Sequence, residues 1–172
     1  MEHEAEYAAF VEERWSPLVR AAVFLGAAPH EAEDLVQATL LLCYRKWDRV
    51  RGADDRDGYV YRMLLNVLRS DRRSAWWRHR SPHPVGADSP REAAVGDAAE
   101  ATAIADAVHR AMLVLSKEQR EVVVLRYFVQ LSEAQTAAVL GIRPGTVKSR
   151  LSRSLARLSA DHHLADLAGG VS

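Results

Sequence analysis

Five cations, Arg143, Lys148, Arg150, Arg153 and Arg157, fall within fifteen residues that hold no acid. Such a concentration suits phosphates, and an arginine can also read guanine through two hydrogen bonds. Ordinary surface helices mix charges of both signs, so this run points to a polyanion. A second set lies upstream. There Arg62, Asn66, Arg69, Arg72 and Arg73 interleave with Tyr59, Tyr61, Trp76 and Trp77. Rings beside cations fit unstacked nucleic acid, because bases stack on the rings while arginines hold phosphates. Tyr61, Leu64, Leu65 and Leu68 read instead as core.

The elements that must position the first set are legible. Ser132 is a good N-cap, with Gln135 three residues later for a capping box. Ala134, Ala137, Ala138 and Leu140 suit a short, closely packed helix, and Gly141 suits the left-handed stop after it. Pro144 fits the first position of a following helix. Val147, Leu151, Leu155 and Leu158 form its apolar stripe, with the cations off that stripe. A short helix, a tight turn and a cationic helix is the geometry that fills a DNA major groove.

The chain has 172 residues, with 23 basic and 23 acidic side chains. The zero net charge conceals an asymmetry. Residues 1–57 carry twelve acids against seven bases, and residues 69–80 carry five arginines against Asp71 alone. Unequal charge along a chain is itself a sign of partners. Cys43 is the only cysteine, which excludes an intrachain disulfide and a cysteine-based zinc site. It sits in the apolar run Leu40-Leu-Leu-Cys-Tyr and reads as a buried thiol. No apolar run approaches the ~18 residues of a membrane span. The acidic start, Met-Glu-His-Glu-Ala-Glu, is the reverse of a secretion signal. A soluble, cytoplasmic protein is expected, with no membrane insertion. The seven histidines are scattered, and there is no glycine-rich phosphate loop, Ser/His/Asp ordering or metal spacing. No enzyme activity, cofactor or metal site is expected.

Strand signals are almost absent, so the expected fold is all-α. It comprises two small helical domains joined by a flexible linker, the C-terminal one a helix-turn-helix. Helices are expected over 4–14, from a Ser16-Pro17 restart to Leu25, from Pro29 to about Trp47, and from Gly58, capped by Asp57, to about Arg78. Asp48–Arg56 reads as a polar loop. Residues 79–99 hold Pro82, Pro84, Pro90, Gly86 and Gly96 without apolar periodicity, the mark of a linker. A helix from about Ala101 to Leu115 and another from Ser116, boxed with Gln119, to Phe128 follow. The tail after Asp161 is expected to fray.

Taken together, residues 5–160 resemble a small two-domain bacterial sigma factor of the extracytoplasmic-function type. Three motifs carry the resemblance in order. Ala32-Glu-Asp-Leu-Val-Gln-Ala-Thr-Leu40 looks like the family's helix for binding core RNA polymerase. Tyr59–Arg73 matches the helix that faces the −10 promoter element. Leu115–Phe128 with Ser132–Leu158 matches the domain that reads the −35 element, and Gly145-Thr-Val-Lys-Ser-Arg-Leu-Ser-Arg153 is close to the family's wording.

The resemblance implies a specificity subunit of polymerase, divided as 1–78, linker 79–99, 100–160 and tail 161–172. It implies core contacts through Asp34 and Gln37, with Leu35 and Leu40 packing behind. The −10 residues would be Tyr59, Arg62, Asn66, Arg69, Arg72 and Arg73, with the 48–57 loop capturing an unstacked base. The −35 residues would be Arg143, Thr146, Lys148, Ser149, Arg150 and Arg153. Implied partners are core polymerase, promoter DNA and, as a candidate, an anti-sigma factor. Arg143 stands where the family commonly has serine, Ala38 where it often has an acid, and Ser116 where it often has proline. The alternative reading is a helix-turn-helix regulator that is no polymerase subunit, like the output domain of response regulators. Residues 1–78 show neither the alternating strands nor the phosphorylatable aspartate such proteins need.

Overall fold

A computed structural model describes residues 2–80 and 98–161, and among them every element is helical. Residues 81–97 and 162–172 lie outside the described residues, and with them fall most of the linker and the tail. The side chains of Trp76 and Trp77 lie outside them too.

The N-terminal half is built from α1 (Glu2–Phe24), α2 (Pro29–Arg45), α3 (Trp47–Arg51) and α4 (Arg56–Arg80). The restart expected at Ser16-Pro17 does not occur, since α1 runs through Pro17 unbroken. An internal proline forfeits one backbone hydrogen bond and costs about 3 kcal/mol. Burial on both sides of it offsets that loss, because Phe10, Leu18, Ala21 and Ala22 all enter the same core. Pro29 does start α2, after Ala28 as N-cap. The expected loop at 48–56 is partly helical. Trp47 and Val50, one turn apart, are both buried and hold α3 down. The Trp47 ring lies 5.0 Å from that of Phe10 and 5.2 Å from that of Tyr7.

The start of α4 also differs from expectation. The cap is Asp55, whose carboxylate accepts the Gly58 amide at 2.9 Å. A Cβ at residue 58 would meet that carboxylate at 2.2 Å, so a larger residue there would make the Asp55 cap shift. Asp57 turns away to pair with Arg14 of α1.

The C-terminal half comprises α5 (Ala98–Leu113), α6 (Lys117–Val123), a π-helical turn (Val124–Phe128), α7 (Glu133–Leu140) and α8 (Pro144–Ser159). Helices α6, α7 and α8 pack on one another around Val122, Ala137 and Val147. The helix expected to run regularly to Phe128 widens at Val124 into the π turn. The main core is continuous across both halves, running from Leu18, Val36 and Leu64 to Val124, Leu125 and Leu131.

Cys43 is fully buried and its thiol points at the Met63 sulfur, 3.5 Å away. Burial raises its pKa from 9.0 to about 11. Iodoacetamide at pH 8 is therefore expected to leave the folded chain unlabelled and to label it once in urea. Rapid labelling without denaturant would contradict this packing. The raised pKa has a linked effect on stability. That stability is intact below pH 9 and falls as pH climbs towards 11, because only the unfolded chain then releases the thiol proton readily.

Candidate nucleic-acid interface

The helix-turn-helix forms from the local signals in its sequence. The Ser132 hydroxyl accepts the Gln135 amide at 3.1 Å, and the Gln135 side chain accepts the Ser132 amide at 2.8 Å. Gly141 ends α7 at φ 67°, in the left-handed region. Arg143 is the N-cap of α8 but its side chain caps nothing, and Pro144 opens the helix. Replacing Ser132 with alanine should cost about 1 kcal/mol of stability. Thermal unfolding would show this, and an unchanged midpoint would mean the box contributes nothing.

Inside α7 the buried face is Thr136, Ala137 and Val139, whereas Ala134 and Ala138 are exposed. In α8, Val147 and Ser154 are fully buried and Leu151 and Leu158 partly so. The Ser154 hydroxyl is satisfied by the Arg150 carbonyl at 2.7 Å. Leu155, expected on the same stripe, is more exposed and lines an apolar cleft with Val108, Val123, Tyr127 and Phe128.

These contacts fix the outer face of α8. Arg143, Lys148, Arg153 and Arg157 are exposed, and Thr146, Ser149 and Arg150 are half-buried beside them. Ser149 donates its hydroxyl proton to the Thr146 carbonyl at 3.2 Å. Glu118 is the nearby acid. Its own backbone amide, chiefly, holds its carboxyl below the usual range, and the Ser116 hydroxyl, Lys117 and Arg150 add to the effect.

The second set lies on α4. Val60, Tyr61, Leu64, Leu65 and Leu68 are buried, which confirms the core reading of Tyr61 and the leucines. Arg62, Asn66, Arg69 and Arg73 recur at helical spacing on the opposite face. Asn66, Arg69 and Arg73 line one cleft with Lys117 of α6. Tyr59 is half-buried against the core. Arg72 is directed elsewhere, donating to the Leu25 carbonyl at 2.7 Å, next to the end of α1.

The third surface is α2. Leu35 and Leu40 are buried and hold α2 in the core. Asp34, Gln37, Ala38 and Leu41 share its exposed face. Leu41 is 51 % exposed, an apolar side chain directed at solvent among polar neighbours. Sequence reasoning passed over it, because its neighbours in the run Leu40-Leu-Leu-Cys all read as core. The helical phase set by Asp34 and Gln37 would have identified it. The Tyr7 hydroxyl braces α2 from behind, donating to the Leu40 carbonyl at 2.7 Å. Among the described residues no cluster of histidine, cysteine and carboxylate side chains could hold a metal ion, and no helix is long and apolar enough to cross a membrane.

The family model "Sigma-70 region 2" matches residues 11–78, and "Sigma-70, region 4" matches residues 105–158. The RNA polymerase sigma-E factor of Streptomyces avermitilis is 37% identical over 94% of this chain and 88% of its own length. The ECF RNA polymerase sigma factor SigL of Mycobacterium tuberculosis is 33% identical over 83% of this chain and 81% of its own. Among solved structures, the sigma factor RpoE of Bartonella quintana, in complex with the anti-sigma factor NepR, is 28% identical. It superposes with a TM-score of 0.64, covering 87% of this chain and 94% of that one. CnrH, in complex with the cytosolic domain of CnrY, shares the fold at 24% identity and a TM-score of 0.66, covering 98% of this chain and 91% of that one. The chain therefore belongs to the extracytoplasmic-function RNA polymerase sigma factors, the non-enzymatic subunits that bind core polymerase and promoter DNA to start transcription.

Proposed function

We propose a division of that work among the three surfaces, with units at 1–78 and 100–160, a linker at 79–99 and a tail at 161–172. The exposed face of α2, with Asp34, Gln37 and Leu41, docks on core polymerase, while Leu35 and Leu40 hold it from behind. The outer face of α4 meets the −10 element through Arg62, Asn66, Arg69 and Arg73, with Tyr59 at its start. Arg72, turned to Leu25, supports that helix. Helix α8 enters the −35 major groove with Arg143, Thr146, Lys148, Ser149, Arg150 and Arg153 divided between phosphates and base edges. The observation that carries this reading is the cationic outer face of α8, set behind a first helix, α7, that is capped at both ends. The work is done in the cytoplasm, where core polymerase is. An anti-sigma factor is a further partner, an inference supported by the NepR complex of the Bartonella relative.

A footprint of the holoenzyme on a promoter fragment tests the division. Lys148→Ala with Arg153→Ala should remove protection around −35 and spare the downstream block. Arg62→Ala with Arg73→Ala should do the reverse. Equal loss of both blocks by either pair would contradict the assignment.

A further inference from the structure

The contact between α4 and α6 is short of negative charge. Arg69 of α4 donates to both carboxylate oxygens of Glu121 in α6, at 3.0 and 3.4 Å. Glu121 is only 5 % exposed, so one buried acid answers one arginine. Two further arginines there meet a neutral acceptor instead. Arg72 of α4 and Arg120 of α6 both donate to the Leu25 carbonyl, at 2.7 and 3.4 Å. Gly26, at φ 96°, leaves them room, since a Cβ there would lie 2.2 Å from Arg120 and 2.9 Å from Arg72. Burial, and then the Arg72 charge, disfavour the protonated form of Arg120.

Arg69 also lines a cleft of about 340 Å³, together with Asn66 and Arg73 of α4 and Lys117 of α6. All four side chains donate hydrogen bonds, and three are cations. Among the described residues neither Arg73 nor Lys117 has an ion-pair partner. Glu118 follows Lys117 in the chain, but its carboxyl is held chiefly by its own backbone amide and the Ser116 hydroxyl, with Lys117 and Arg150 acting on it less. Three cations, less the one that Glu121 answers, leave two positive charges on facing walls of the cleft. No aromatic ring lines it, so the cleft can recognise charge and oxygen but cannot stack a base.

We infer that this cleft binds a diphosphate group, either as free pyrophosphate or as part of a small nucleotide. Walls of one charge sign concentrate anions between them. Arg73 can take phosphate oxygens in pairs, and Lys117 can meet the second phosphate as a point charge. The Asn66 amide supplies a further donor. A diphosphate suits the site better than a single small anion, because it carries charge at both ends and the two unanswered cations stand on opposite walls. Bound there, it supplies the negative charge that the α4–α6 contact lacks. The site shares Asn66, Arg69 and Arg73 with the face proposed for the −10 element. It does not rest on that assignment, since Lys117 and the missing countercharge define it.

The test is calorimetric titration of the free full chain at fixed ionic strength, with sodium pyrophosphate, ADP and sodium sulfate as separate probes. Pyrophosphate should bind at one site and saturate. Lys117→Ala should weaken it about tenfold, the scale of one charged hydrogen bond, and Lys117→Glu should abolish it. Lys117 is exposed, so neither change should alter the circular dichroism spectrum. Arg157→Ala removes the same charge from the exposed face of α8 and should bind as wild type does. ADP binding as tightly as pyrophosphate would support a nucleotide as the source of the diphosphate, and much weaker ADP binding would support the free anion. Equal affinity for sulfate, a titration that does not saturate, or equal weakening by Lys117→Ala and Arg157→Ala would overturn the proposal, because each is a general response to charge. The Lys117→Ala holoenzyme should give the wild-type promoter footprint. Loss of its −10 block would make Lys117 a DNA contact and overturn the diphosphate site. Absence of pyrophosphate binding beside a normal footprint would refute the site and leave the −10 assignment standing.

Discussion

Replacing Leu41 with glutamate is expected to weaken binding to core polymerase by roughly 30-fold or more, the effect of losing an interface hot spot. Leu41 is half-exposed on α2, in phase with Asp34 and Gln37 and one residue past the buried Leu40. An exposed apolar side chain among polar ones gives a docking surface its desolvated centre. The fold should not be affected, because the side chain already faces water. The melting temperature should stay within a degree or two of wild type, and a competition assay against labelled wild type would measure the affinity. Unchanged affinity with an intact fold would remove the α2 face from the polymerase interface.

The second large effect is expected at the other end of the chain. Arg153→Ala should lower promoter affinity of the holoenzyme by tenfold to about a hundredfold if Arg153 reads a base, since a bidentate contact discriminates by about 1–3 kcal/mol. If it holds a phosphate, the loss should be similar for any sequence and the salt dependence shallower by about one unit. Arg153 is exposed on α8, whereas Arg150 is half-buried and shares its field with Glu118. Arg150→Ala is therefore expected to have the smaller effect. Binding to core polymerase should be unaltered in both variants. Loss of core binding by Arg153→Ala would mean that the substitution had damaged the fold.

What the sequence made legible was local. The boxes at Ser116–Gln119 and Ser132–Gln135, the stop at Gly141 and the start at Pro144 all act over three or four residues. Their chemistry is complete without the rest of the molecule. The misreadings share the opposite character. Propensity alone breaks the helix at Pro17 and leaves Asp48–Arg56 a loop, and tertiary burial of Leu18, Trp47 and Val50 overrides it. Asp55 and Asp57 are both acceptable caps in sequence, and only the Arg14 partner of Asp57 separates them. The Gln130 backbone sits at φ 62°, where glycine would be the usual signal, so the turn before α7 left no trace.

The site divided in the same way. The cations of α8 were legible because no acid interrupts them, and the helical phase of α4 placed Arg62, Asn66, Arg69 and Arg73 together. That Arg72 turns to Leu25, and that Arg69 meets Glu121, depends on residues 47 and 52 positions away. No short-range pattern encodes such pairs. Leu41 was hidden for another reason, since composition alone cannot tell an outward leucine from an inward one in a continuous apolar run.

The most direct test is transcription of fragmented genomic DNA by purified core polymerase, with and without this chain, followed by sequencing of the new transcript starts. Discrete starts that share two upstream motifs, one near −10 and one near −35, are the predicted result. Intact binding to promoter fragments with no new starts would contradict the account.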